Sequence, residues 1–157
     1  MKLKTLIACY SHSGHTLKVA KALQKQINAD LTQIKDEKGK WYLMNLWGAL
    51  REKKVPIKPC QTDLINYERL VLCCPVWGGK TPPAINQYMS EIINVEGKEF
   101  GVFVTSGGGR SQKATIMMRE YLDGQEMKFL GQMRLLSKEV EKEEYGEKFE
   151  IFAKKFV

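Results

Sequence analysis

The sequence predicts an α/β fold, a parallel sheet with helices packed on both faces, and three observations carry that reading. Short apolar runs alternate along the chain with stretches whose apolar residues recur every three or four positions. Three of those runs end in small, polar, glycine-rich loops. The length of 157 residues, with 43% hydrophobic and 27% charged, suits a chain that buries one core. Residues 1–157 therefore read as one domain, without an internal repeat or linker.

Leu3 to Cys9 is the first apolar run and reads as a buried strand. Leu17, Ala20, Leu23 and Ile27 follow at helical spacing, and Asp30 to Ile34 ("DLTQI") alternates like a short strand. The long connection 39–59 reads as a helix over 41–53. Leu43, Leu46, Trp47 and Leu50 form one apolar face, while Trp41, Met44 and Ala49 lie partly elsewhere. It reads as packed on the sheet, with a contact beyond its own sheet as the alternative. Leu70 to Cys74 is the third strand, stopped by Pro75. Thr81 is placed as the cap of a helix with Pro82 or Pro83 in its first turn and Ile85, Tyr88, Met89 and Ile92 on one face. "EFGVFVTSGGG" supplies a fourth strand ending at Thr105, and Ala114, Met117, Met118 and Tyr121 mark the next helix. A fifth strand spans Lys128 to Leu136. One last helix from Ser137 carries Tyr145, Phe149, Phe152 and Phe156 as its stripe. Lys154 and Lys155 stand at its C-terminal end, where the dipole favours cations.

Composition narrows the function. The opening "MKLKTLIACY" is too short an apolar run for a signal peptide, and no stretch approaches membrane-spanning length, so a cytoplasmic location is expected. Cysteines 9, 60, 73 and 74 form no CxxC pair and read as buried reduced thiols, with Cys73 and Cys74 on opposite faces of their strand. No metal ligand or catalytic residue is assigned. The excess of 25 Lys+Arg over 18 Asp+Glu gives +7, and the bases are dispersed rather than interleaved with aromatics. That argues against nucleic acid and fits an acidic partner, an anionic ligand or a solvated surface.

Three loops leave the strand ends on the edge where open parallel sheets bind ligands. In "SHSGHT", the hydroxyls of Ser11, Ser13 and Thr16 can encircle a phosphate, and Gly14 lets the backbone come close. The free amides of a helix starting near His15 face the same space. The alternative is a plain cap, with Ser13 or Thr16 bonding the first turn. Other phosphate chemistries fail on the letters. Neither GxxxxGK nor GxGxxG occurs, His15 stands where a Cys-x5-Arg phosphatase loop opening at Cys9 needs arginine, and the third strand ends on Cys74 and Pro75 rather than on a receiver's aspartate. In "PVWGGKTPP", Trp77 beside two glycines suits stacking on a flat ring. In "TSGGGRSQ", Ser106 to Gly109 offer backbone amides and almost no side chains. Together the loops describe a site for a phosphorylated planar heterocycle.

On these residues the chain resembles the flavodoxin family over almost its whole length. "SHSGHT" is similar to that family's FMN-phosphate motif, Ser/Thr-x-Ser/Thr-Gly-x-Thr, and "PVWGGKTPP" to the loop after its third strand. The resemblance implies a three-layer α/β/α sandwich with a five-stranded parallel sheet in the order 2-1-3-4-5, and FMN as cofactor. By the same resemblance Ser11, His12, Ser13, Gly14, His15 and Thr16 hold the phosphate, position 15 serving through its amide. Pro75, Val76, Trp77, Gly78 and Gly79 line the isoalloxazine, with the Gly78–Gly79 backbone near N5, where a rotating peptide separates two one-electron steps. Thr105, Ser106, Gly107, Gly108 and Gly109 border the pyrimidine end and ribityl chain.

The chain departs from the pattern in two respects. It is basic, with Lys80 and Arg110 in or beside the loops, where flavodoxins are acidic; positive charge near the flavin raises its potential. "TSGGGRSQ" also lacks the tyrosine that covers one flavin face, which is then open, covered by another segment or completed by the second subunit of a homodimer. The leading expectation is an electron carrier serving a redox partner protein. The alternatives are an oxidoreductase using NAD(P)H and a quinone or similar small acceptor, and a flavin-free module binding a phospho-ligand or partner protein.

Overall fold

β1 (Thr5–Tyr10), β2 (Asp30–Ile34), β3 (Arg69–Pro75), β4 (Glu99–Ser106) and β5 (Lys128–Leu136) lie side by side in the order β2-β1-β3-β4-β5, every neighbouring pair parallel. The computed structural model describes residues 2–37 and 54–157, so the helix expected over 41–53 lies outside the described residues. Flanking the sheet are α1 (His15–Ile27), α2 (Pro83–Glu91), α3 (Gln112–Gly124), α4 (Ser137–Glu141) and α5 (Gly146–Lys154).

The unbroken apolar runs of β1, β3 and β4 follow from burial on both sides. The two-residue period sends Leu6, Ala8, Leu70, Leu72, Cys74, Val102 and Val104 into one core, with Ile85 and Met89 of α2 and Met118 and Leu122 of α3. It sends Ile7, Cys9, Val71, Cys73 and Phe103 into the other, with Leu23 of α1 and Phe149 and Phe152 of α5. The neighbouring cysteines 73 and 74 thus part to opposite cores, as expected. Burial holds for three of the four thiols; Cys60 is only half-buried, and all four are free. From β1 the chain runs out to β2, then returns past β1 to β3, so strand order reverses between β1 and β3. No helix among the described residues is long and apolar enough to cross a membrane.

Four local expectations are corrected. β1 starts at Thr5 and ends at Tyr10, with Leu3 left exposed. Thr81 does not cap α2: its hydroxyl donates to Asn86 Oδ1 at 2.7 Å, and Pro82 is the N-cap of a helix that opens on Pro83. A proline there brings no N–H that needs capping. The buried stripe of α3 is Ala114, Thr115, Met118 and Leu122, with Tyr121 exposed, because one position turns the face by about 100°. The single last helix is two, α4 and α5, separated where Glu143 (φ 55) and Gly146 (φ 65) turn left-handed. The aromatic stripe survives because Phe149, Phe152 and Phe156 all follow that break, and all three are buried.

Phe156 also explains a glycine. A β-carbon on Gly101 would run into the Phe156 ring and come within 3.1 Å of the Gly131 carbonyl, at the point where β4 slips register against β5. Gly101→Ala is expected to lower unfolding free energy by about 1–3 kcal/mol in chemical denaturation, and Phe156→Leu in the same chain to return part of it. Independent, additive losses would show that the ring is not the obstacle.

Candidate functional site

The first loop is organised by Ser11. Its Oγ accepts the backbone N–H of Gly14 (3.2 Å) and of Leu17 (3.2 Å), so Ser11, and not Ser13 or Thr16, closes the start of α1. Gly14 is the N-cap residue at φ 94, where a β-carbon is strained. The His15 and Thr16 amides lie in the first turn, where no earlier carbonyl of the helix can accept them, at the positive end of the dipole. The expected ring of hydroxyls is otherwise engaged. Thr16 is buried and shares a 2.7 Å hydrogen bond with the hydroxyl of Thr105, while Ser13 Oγ lies 3.0 Å from His15 Nδ1. What the loop offers a ligand is chiefly backbone.

The second loop is a hairpin turn. Trp77 and Lys80 exchange both backbone hydrogen bonds at 2.9 Å, and Gly78 (φ 57) and Gly79 (φ 80) between them are both left-handed. A two-residue turn of this kind requires positive φ at both centres, which two glycines take without strain. The Val76 amide donates to Thr105 O at 2.9 Å and fastens this loop to β4. The Trp77 ring stands edge-to-face with Tyr10 (5.8 Å, 74°) and with His12 (5.4 Å, 90°). In the third loop Ser106 donates its hydroxyl to Gly108 O at 2.8 Å.

A cleft of about 470 Å³ opens between the second and third loops, lined by Val76, Gly78, Gly79, Ser106, Gly107, Gly108, Gly109 and Arg110. That volume is in the range of small-molecule sites. Pro75, Trp77, Thr105 and the residues from Ser11 to Thr16 do not line it; they join it through the Thr16–Thr105 bond, the Val76–Thr105 bond and the His12–Trp77 contact. Arg110, which the sequence places in or beside the loops, is a lining residue.

Sequence reasoning missed a second feature entirely. Tyr10 donates its hydroxyl to Asp36 Oδ2 at 2.7 Å across the β1/β2 ends, and Asp36 Oδ1 is enclosed with no hydrogen-bond partner among the described residues. Burial pushes the Asp36 carboxyl above the ordinary carboxylate range, against the opposing pull of the Tyr10 bond and of His12. Burial, and then the Asp36 bond, push the Tyr10 hydroxyl far up as well. Residues 26 apart with no shared motif leave no trace of this in the sequence.

The architecture matches solved structures. A Lactobacillus acidophilus flavoprotein in complex with FMN is 25% identical, with 89% of this chain and 97% of that one covered at a TM-score of 0.65. Oxidised flavodoxin 2 from Bacillus cereus is 20% identical, covering 98% and 97%, TM-score 0.63. The two-electron reduced flavodoxin of Megasphaera elsdenii is 11% identical, covering 96% of each, TM-score 0.64. The fold is that of the flavodoxins. No protein-family model and no curated protein matches the chain. Within the flavodoxin fold, the candidate site occupies the carboxyl ends of β1, β3 and β4, beside the reversal of strand order.

Two outcomes test this geometry. Ser11→Ala removes the acceptor for the N-cap amide of Gly14 and the first-turn amide of Leu17 and should cost about 1 kcal/mol of stability in denaturant titration; Ser13→Ala, which removes no cap, should cost less. For Asp36 the folded pKa is raised, so the folded state holds more protons than the unfolded one. Its favourable contribution is complete below about pH 4 and is lost as pH rises through the folded pKa. Asp36→Asn should therefore raise the denaturation midpoint at pH 7, with the gain vanishing below about pH 4; a gain independent of pH would contradict the burial argument.

Proposed function

We propose that this chain binds FMN non-covalently at the carboxyl edge of the sheet and passes electrons through it to a redox partner protein in the cytoplasm. The observation that supports this most is the convergence of an amide nest, an aromatic plate and a glycine-lined cleft at the reversal of strand order. The residues fit the cofactor. The His15 and Thr16 amides would hold the phosphate at the α1 N-terminus, with Ser11 keeping the loop in shape and Gly14 giving the approach. Trp77 would cover the ring, its plane fixed between Tyr10 and His12. The Gly78–Gly79 turn and the glycines from 107 to 109 would border the ring and ribityl chain with backbone groups alone. When bound, the flavin supplies one- and two-electron chemistry. The FMN complex of the Lactobacillus acidophilus neighbour supports the same assignment.

One observation favours a second reading, an oxidoreductase that takes electrons from NAD(P)H and passes them to a quinone or similar small acceptor. Residues 10–29, 70–90 and 100–118 contain no Asp or Glu, whereas Arg110 lines the cleft and Lys80 and Lys113, both exposed, follow its lining residues in the chain. Such a rim attracts an anionic nucleotide as readily as an acidic protein.

Titration of the cofactor-free protein with FMN, and with riboflavin for comparison, tests the proposal. Saturable quenching by FMN, at least tenfold weaker with riboflavin, is expected from a phosphate held by charge-assisted amide bonds. Trp77→Leu should weaken both flavins together. Absence of quenching by either flavin would overturn the flavin reading and leave a binding module on the same fold. Reduction of the bound flavin by NAD(P)H alone, without a protein donor, would select the second reading over the first.

A further inference from the structure

We propose that His15 and Glu141 are positioning residues that aim the Ser13 hydroxyl at the phosphate and make its binding proton-linked; this rests on the FMN reading above. Three groups stand in a line. Ser13 Oγ is 3.0 Å from His15 Nδ1, and His15 Nε2 is 3.3 Å from Glu141 Oε1 on α4, at the other end of the chain. A carboxylate only accepts, so Glu141 selects the imidazole with hydrogen on Nε2. In the neutral ring that choice leaves Nδ1 as an acceptor, and Ser13 turns its one proton into the imidazole. The Ser13 lone pairs then face the ligand space, where a phosphate also brings only acceptors. In the protonated ring Nδ1 carries hydrogen too and donates to Ser13 Oγ. The Ser13 proton is released to the phosphate, and the loop gains a donor that its backbone does not provide.

The surroundings single out this histidine. Glu141 faces it from α4; Glu139 of the same helix is held by Lys148 at 2.9 Å, Glu143 beyond α4 is taken by Lys18 of α1 at 2.9 Å, Lys138 is the cation of α4 and Lys142 its C-cap. His12 meets the Trp77 ring instead. The chain thus reaches from its last third to set the polarity of a loop in its first, and lets affinity for the phosphate fall as pH rises through the histidine range.

The test is FMN affinity by fluorescence quenching from pH 5.5 to 8.5 in the wild type, Ser13→Ala, Glu141→Gln and His15→Asn. The phosphate's own second ionisation, near pH 6, acts in all four and cancels in the ratios. Relative to Ser13→Ala, the wild type should lose about five- to tenfold affinity across the range. Glu141→Gln and His15→Asn should flatten that ratio. Identical pH profiles in wild type and Ser13→Ala, with FMN still bound, would overturn the positioning role alone. Failure of the wild type to bind FMN at any pH would overturn the phosphate reading and this inference with it.

Discussion

Because β1, β3 and β4 are covered on both faces, their side chains are consumed by two cores and have nowhere to present a site except where the strands end. The sheet therefore delivers backbone rather than side chains to its carboxyl edge, and each loop that leaves it must satisfy its own backbone N–H and C=O groups. Ser11 does this for the first loop, the Trp77–Lys80 pair for the second, and Ser106 for the third. The Thr16–Thr105 hydrogen bond, buried between the ends of β1 and β4, then locks the first loop to the third across β3. A buried hydroxyl pair of this kind costs more to break than an exposed one, since either partner alone would be left unsatisfied.

Electrostatics at this edge come from absence as much as presence. The three loops and the helices that follow them carry no carboxylate over their first turns, so the α1 dipole and the exposed cations meet no acid from those segments, and Glu141 reaches His15 from α4. Asp36, just past the end of β2, is partly buried and bonded to Tyr10, with its charge disfavoured by desolvation. Tyr10 is at once the partner of that carboxyl and a wall for the Trp77 ring, which links the β2 end to the aromatic plate through one side chain.

The central strands were legible because two-sided burial leaves a continuous apolar run that any window finds. The loops were legible because glycine and hydroxyl residues are concentrated there for reasons of φ and hydrogen bonding. What escaped were pairings between residues distant in the chain. Ser11 was legible as a loop hydroxyl, but not as the cap in place of Ser13, since all three candidates fit the composition equally. The break between α4 and α5 escaped because the aromatic stripe begins only at Tyr145 and no proline marks residues 142–145.

By itself the sequence determined the alternation of strand and helix, the two faces to which Cys73 and Cys74 part, and the three ligand-facing loops. Each of these is a local consequence of period, polarity or backbone freedom. Only the tertiary structure decided which hydroxyl caps α1, that Thr16 is committed to Thr105, that Asp36 is enclosed beside Tyr10, and that His15 lies between Ser13 and Glu141. Those choices depend on which strand ends are neighbours, and that is fixed by the packing of two cores around one sheet rather than by any stretch of the chain.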